Sequence, residues 1–421
     1  QADPGQPCGY ECRICPIEDL IAALPDEVTP DNAEEVRGRL DAILALYGEL
    51  SWEEQGQIDL SRCYALQATL DGANDPDPVA GEVSVDYQEA TWGGSAVTYT
   101  THTGQSCTPV ESSADAVTWS AGWYAVSGDV TIDQPITVTG DVSLILTDGC
   151  TLNAEKGIVV TTDNSLTIYA QSGGTGTLNT TGTVDSDKNA SAGIGGSTAS
   201  LDSGAIIIHG GVINATGGSA DSVGYGGAGI GGGTPNYGNG GSSGAITIYG
   251  GTVTANSGAG GVTGAGIGGG GGINGGTGSN IQIYGGTIKA TGSSFGAGIG
   301  GGGSTSNPNS SYKSGDGAVT ISGGTVTAVG GDYAAGIGGG GGYYYSTQYT
   351  SGGCTGGTGS VTISGGIVDA KGGAGNSSGN YAGAPIGNGG NTTAAATVNK
   401  TTGIVFENGA GTVCGDVTLD G

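Results

Sequence analysis

From residue 128 onward, apolar and polar residues alternate in short segments that return at long intervals. Ile206-Ile207-Ile208-His209-Gly210-Gly211-Val212-Ile213-Asn214-Ala215 is answered by Ile246-Thr247-Ile248-Tyr249-Gly250-Gly251-Thr252-Val253-Thr254-Ala255, and further copies begin at Ile281, Val319 and Val361. The apolar residue of the second segment recurs at Leu152, Leu178, Ile213, Val253, Ile288, Val326 and Val368, at spacings of 26, 35, 40, 35, 38 and 42 residues. A third segment follows, Ala192-Gly193-Ile194 being repeated at Ala228, Ala265, Ala297 and Ala335, with Ala384-Pro385-Ile386 as a departure. Period two means strands with one face inward. Three short strands per repeat, joined at Gly-Gly corners, predict a mainly β fold, a parallel β-helix or β-solenoid of about seven or more coils. Coils stacked ~4.8 Å apart would set Ile on Ile and Val on Val in internal ladders. The 26-residue spacing then measures a nearly bare coil. Longer spacings hold loops between the third strand and the next first strand, as at 303–316 and 341–360.

Residues 1–78 follow a different period. Val36, Leu40, Ile43, Leu44 and Tyr47 recur at helical spacing after Thr29-Pro30, an N-cap with a first-turn proline, and Gly48 ends the run. Ser51-Trp52-Glu53-Glu54 is a capping box for a further helix through Ile58, Leu60, Ala65, Leu66 and Leu70. With a shorter helix over 16–24, the segment reads as a small antiparallel helical module, closed by a linker at Asp75-Pro76-Asp77-Pro78. Residues 79–127, which include Trp92, Trp119 and Trp123, read as irregular strands that start or cap the β-helix. Residues 128–421 are the glycine-rich repeats.

Charge narrows the possible partners. Ten Lys and Arg against 38 Asp and Glu give a formal charge of −28 in 421 residues, which repels nucleic-acid phosphates and anionic lipid. No apolar run is long enough to span a bilayer, so no membrane insertion is expected. Eight cysteines beside two His and no Met suit an oxidising, extracellular compartment. The start at Gln1 reads as a mature or excised segment whose secretion signal has been removed.

Cys8, Cys12 and Cys15 form C-x3-C-x2-C, a spacing that also holds iron–sulfur clusters. In an acidic helical module without an α/β barrel, two disulfides that include Cys63 are the expected use, with zinc as the alternative. Cys107, Cys150, Cys354 and Cys414 supply two more candidate bridges, with the pairing open. No cofactor is expected, and calcium only as an incidental surface ligand of scattered acids such as Asp129, Asp133, Asp141 and Asp148.

The alternation of I-x-I-x-G-G, T-V-T-A and A-G-I-G-G-G resembles the glycine-rich β-helical repeats of secreted and cell-wall proteins from anaerobic Gram-positive gut bacteria. Ile21-Ala22-Ala23-Leu24-Pro25 and the helices after it resemble small helical modules of the same surface proteins. The resemblance implies a secreted or cell-surface adhesin or wall component, and it carries over no catalytic residue.

Several motifs compete for a functional reading. Gly227-Ala228-Gly229-Ile230-Gly231-Gly232 fits a dinucleotide fingerprint, yet it recurs in several coils with no helix after it, so it reads as structure. Tyr169, His209, Tyr249 and Tyr284 share one corner position, taken by Ser322 and Ser364 in later coils, and should stack as an aromatic ladder that either binds sugar rings or shields the corner. The loop residues Tyr343, Tyr344, Tyr345 and Tyr349 are ligand-binding candidates, as are Tyr249 and Tyr284. Thr252, Thr254, Thr287, Thr325 and Thr327 form an outward array that would suit ice, but Lys289 and Asp369 interrupt it, and Thr is a good exposed strand residue. No column of carboxylates or of a Lys or Arg base appears, so the chain is not expected to be an enzyme.

These features point to an extracellular structural or adhesive protein. It would partner itself, in a head-to-tail fibre, or glycans and host surfaces. Gly415-Asp416-Val417-Thr418-Leu419-Asp420 echoes Gly128-Asp129-Val130-Thr131-Ile132-Asp133 and offers an edge for a second chain. A glycan-binding module using the Tyr-rich loops is the alternative, and a polysaccharide-active enzyme a third.

Overall fold

A computed structural model describes residues 15–25, 32–48, 58, 62–63, 66, 81–199, 201–220, 225–304, 312–342, 354–375, 381–392 and 396–400. The chain divides into two compact units, Gln1–Gly81 and Glu82–Gly421.

In the first unit, α1 (Cys15–Ala22) and α2 (Ala33–Gly48) bring Ile17, Val36, Leu40 and Ile43 into one buried cluster with Leu24, Ile58, Cys63 and Leu66. The helical spacing of Val36, Leu40 and Ile43 accounts for the buried stripe, and Gly48 ends α2 as read from the sequence. Asn32 provides the first accepting carbonyl, bonded by Val36 N at 2.9 Å. Carbonyls just after α1 are capped by cations: Arg39 donates to Ala23 O at 3.0 Å and Arg62 to Leu24 O at 2.8 Å. Cys8, Cys12, Thr29 and Pro30 lie outside the described residues, as does most of the third expected helix.

The second unit opens with an antiparallel hairpin, β1 (Val83–Trp92) and β2 (Val97–Pro109). There follow β3 (Val117–Val126), β4 (Asp129–Ile132) and β5 (Ile136–Leu146). β3 runs parallel to β5 from Val117↔Ile136 to Val126↔Leu146, with one register shift between Ser120 and Gly122. Parallel pairing between coils therefore starts within 79–127, the stretch expected to start or cap the β-helix, where Thr108 and Pro109 of β2 pair with Tyr124 and Ala125 of β3. Trp119 of β3 is buried at the start of the coil interior, stacked on Tyr124 at 5.4 Å.

Each later coil repeats three parallel strands, and the aligned sequence positions are register partners. On one face the order is Leu144, Ile168, Ile208, Ile248, Ile283, Ile321 and Ile363. An eight-stranded parallel sheet stacks Val130, Leu152, Leu178, Ile213, Val253, Ile288, Val326 and Val368. The short third strands stack Ile158, Ile194, Ile230, Ile267, Ile299, Ile337 and Ile386. All but Ile386 of these side chains are buried, and they form one continuous core. Burying each is worth about 1.5 to 3 kcal/mol, so the ladders hold the coils together. Insertions are not confined to the third-to-first connection. An added pair, Tyr225–Gly226 with Val262–Thr263, sits between second and third strands.

Glycine is demanded by geometry at two corners. Gly211, Gly251, Gly286, Gly324 and Gly366 turn the chain from first to second strand at φ between +85° and +88°. At the end of the third strand, Gly195, Gly231, Gly268, Gly300, Gly338 and Gly387 stand at φ from +128° to +138°, and a Cβ on Gly268 would collide with the Gly300 carbonyl oxygen. The recurring A-G-I-G-G-G is therefore a corner through which neighbouring backbones pass at contact distance. In the departing copy, Pro385 still accepts from Ile337 N at 2.9 Å but has no amide hydrogen to pass to another coil.

The cysteines correct an expectation. Among the described residues no disulfide forms. Cys150 points into the coil core, whereas Cys107 on β2 packs with Tyr87, Ala125 and Ile145 in a separate cluster, so the coil wall keeps the two thiols apart. Burial, seconded by the charge of Glu82, pushes the Cys107 thiol up to about 12. Cys63 is buried in the helical unit and Cys354 in the coils. Cys414 lies outside the described residues.

Two outcomes follow from this packing. Ile248→Ala, which opens a hole between Ile208 and Ile283, should cost roughly 2 to 5 kcal/mol, and Gly268→Ala, which removes no contact, should cost a comparable ~2 to 4 kcal/mol through strain and overlap. Thermal unfolding of both variants measures this, and a neutral Gly268→Ala would refute the corner argument. Iodoacetamide on the native chain should spare Cys107 and Cys150 and label both after denaturation, as read by peptide mass spectrometry. Resistance to alkylation after denaturation without reductant would instead reveal a disulfide.

Candidate functional site

In the coils from His209 onward an outward side chain follows the first strand just before the Gly-Gly corner, and Tyr169 holds the equivalent place before Ala170 in the coil beneath. At that position Tyr169, His209, Tyr249 and Tyr284 stack, with centroids 4.6, 5.0 and 5.1 Å apart and ring planes within 16° of parallel. Parallel register one coil apart imposes the spacing, which is also that of offset-stacked rings. Trp123 of β3 extends the column at one end, 5.3 Å from Tyr169.

The column is not open along its length. The β1–β2 hairpin lies over it, joined to the coils by pairing of Gln88 with Ala170. Tyr87 meets Tyr169 edge-on at 4.7 Å and stacks on His102, also at 4.7 Å. His209 is buried beneath the hairpin, its Nδ1 set against the Ala90 backbone, 2.8 Å from the carbonyl oxygen and 3.1 Å from the amide nitrogen, so the ring's tautomer decides which of the two it bonds. Shielding therefore accounts for the middle of the ladder. The signal in the sequence was the run of aromatics Tyr87, Trp92 and Tyr99 in a hairpin-like segment, but nothing local to 83–99 shows what those rings cover.

At its far end the column is completed from outside the repeats. Trp92, at the tip of β1, stacks on Tyr284 at 5.3 Å and lies over the next corner, where a Cβ on Gly323 would be 3.9 Å from its ring. Trp92 thus fills the rung that the coil itself leaves to Ser322. A groove of about 680 Å³ runs along the hairpin tip from Tyr99 and Tyr249, past Trp92 and Tyr284, to Ser322 and Ser364, floored by the glycine corners. No charged side chain lines it among the described residues. The Ser364 hydroxyl donates to Ser322 Oγ at 3.2 Å, and Tyr284 Oη donates to Gln282 Oε1 at 2.7 Å. Burial raises the Tyr249 phenol, with Tyr284 and Glu89 adding to it, so that ring stays neutral.

The candidates therefore separate. Tyr249 and Tyr284 belong to this site, while Tyr343, Tyr344, Tyr345 and Tyr349 lie outside the described residues. Among the described residues the acids do not gather. Asp141 accepts from Ser165 Oγ, Asp148 caps the Gly173 and Thr175 amides, and among the described residues no three His, Cys, Asp or Glu side chains are placed to hold a metal. On the eight-stranded sheet Thr252, Thr287 and Thr325 are exposed in register, broken by Lys289, Ile367 and Asp369. The same face carries a feature the strand pattern alone did not reveal. Asn214 donates to Asn179 Oδ1 and Asn179 to Asn153 Oδ1, each at 2.9 Å, in an amide ladder along the coils.

The family described as beta helix repeat matches four stretches, 246–271, 281–303, 319–341 and 361–380. The match agrees with the fold: the second unit is a β-solenoid built of β-helix repeats. The matched stretches hold the coils from which Tyr249, Tyr284, Ser322 and Ser364 project, so the groove floor is built from the repeat itself. The hairpin that supplies Trp92 and Tyr99 lies outside the match. Neither a curated protein nor a solved structure matches the chain.

Burial depresses the His209 imidazole below its ordinary value of 6.5, against the opposing pull of the Ala90 carbonyl and Glu89. Between that depressed value and 6.5 the unfolded chain binds more protons than the folded one, so the stability due to neutral His209 is present above pH 6.5 and lost on acidification. The melting temperature should fall more between pH 7 and pH 5 for the parent chain than for His209→Phe. Equal pH slopes would show that the buried imidazole contributes nothing.

Proposed function

We propose that this chain is an extracellular surface protein with a structural and adhesive role. It is a binding protein and not an enzyme, and its ladder-stacked coils hold contact side chains at fixed spacing. The observation that carries the reading is the aromatic column. Its rings follow the coil repeat, are fixed by backbone pairing and by the hairpin, and end at an uncharged groove open to solvent. A rigid frame of this kind costs little ordering entropy on binding, which favours adhesion. The acidic exterior and the resemblance of the repeats to those of wall proteins support an extracellular setting. The cysteines no longer add to it, because Cys107 and Cys150 form no disulfide.

Self-association is part of the proposal, since coil-on-coil pairing at a solenoid end could be continued by a second chain. The C-terminal segment 415–420 suspected of this lies outside the described residues. The decisive experiment is retention of the purified chain on insoluble extracellular materials, namely bacterial wall preparations, mucin and plant fibre, with negative-stain microscopy of the same sample. Retention on at least one of them is expected. A chain that washes off all three would overturn the adhesive reading, and filaments that lengthen with concentration would establish self-assembly.

A further inference from the structure

The geometry points to a binding site for an uncharged saccharide in the groove between Trp92 and the Ser364 corner. The inference deepens the adhesive reading above and rests on it.

The stacking direction of the column is the coil direction, so Trp92 has one face on Tyr284 and presents the other toward the next coil. Had the repeat kept an aromatic residue there, that face would be covered. Ser322 and Ser364 stand in the equivalent positions instead, and Ser364 is exposed. The result is a half-buried indole face over a floor of glycine corners that lacks side chains. Between the Tyr284 rung and the Ser364 rung the floor spans about 10 Å at one coil per ~4.8 Å.

Three features select the ligand. A flat aromatic face beside bare backbone fits the C–H face of a pyranose ring, as in sites that combine apolar walls with a few placed polar groups. Hydroxyl groups on Ser322 and Ser364 border the groove; Ser364, whose proton goes to Ser322 Oγ, can accept from a sugar hydroxyl, and Ser322 can donate to one. No charged side chain among the described lining residues is available to pair with a carboxylate or sulfate. The chain's net charge of −28 repels acidic polysaccharides as well. A neutral oligosaccharide satisfies all three features.

The test is intrinsic tryptophan fluorescence, with calorimetry, on the full chain titrated with cellohexaose, laminarihexaose and mannohexaose, and with oligogalacturonate and a proline-rich peptide for comparison. At least one neutral hexasaccharide should bind and perturb the emission. Trp92→Ala should weaken that binding tenfold or more. So should Ser364→Tyr, which adds a rung where the frame already accepts Tyr249 and Tyr284 and fills the groove without removing any core contact. An unchanged melting temperature for Ser364→Tyr separates occlusion from misfolding, and Thr287→Ala on the other sheet should bind as the parent does. Sugar binding that survives both groove changes would place the site elsewhere and overturn this assignment while leaving the adhesive reading intact. So would a preference for oligogalacturonate or the peptide, or no saccharide binding by a chain that still adheres to wall material. Loss of both sugar binding and adherence in the parent chain would remove the reading on which the site rests.

Discussion

Parallel backbone pairing between successive coils is the constraint on which the rest of the solenoid depends. Each coil lies one strand spacing above the last and repeats its φ and ψ, so whatever occupies a position in one coil is stacked on the same position in the next. Inside, this makes columns of Ile, Val and Ala. At the corners it brings backbone against backbone, which is why Gly231, Gly268 and Gly300 admit no Cβ. Outside, it converts isolated residues into arrays, such as the amide ladder of Asn153, Asn179 and Asn214 and the ring column from Tyr169 to Tyr284.

A regular stack is good scaffolding but a poor source of concave sites, because every coil offers the same flat face. The groove arises where regularity fails twice. The corner position changes from Tyr to Ser after Tyr284, and a hairpin from outside the repeats lays Trp92 into the vacated rung. Neither change alone makes a site. Serines on a bare flank would be open surface, and an indole over another tyrosine would be one more shielded ring.

The hairpin also explains why the middle of the column is structural. His209 is held under Ala90, and its burial keeps the imidazole neutral, which suits a ring sandwiched between Tyr169 and Tyr249. The same covering strands bury Cys107 on the outer side of the wall, while Cys150 faces the core. Cysteine counting alone could not separate them, since it carries no information on which side of a sheet a thiol lies.

The repeat was legible in the sequence because a solenoid writes its contacts at a period. Alignment of Leu152 through Val368, of Ile246 with Ile281 and Val319, and of the A-G-I triplets was enough to place strands, inward faces, corners and the stacking of Tyr169, His209, Tyr249 and Tyr284. Neighbours along the coil axis are one repeat apart, so local pattern determines them. What lies against the stack from outside has no period and is set by contacts between residues far apart in the chain, such as Ala90 with His209 and Trp92 with Tyr284, each separated by more than a hundred positions. Only the tertiary structure could decide that β3 pairs in parallel with β5, that the ladder is covered, and that an open, uncharged groove remains at its end.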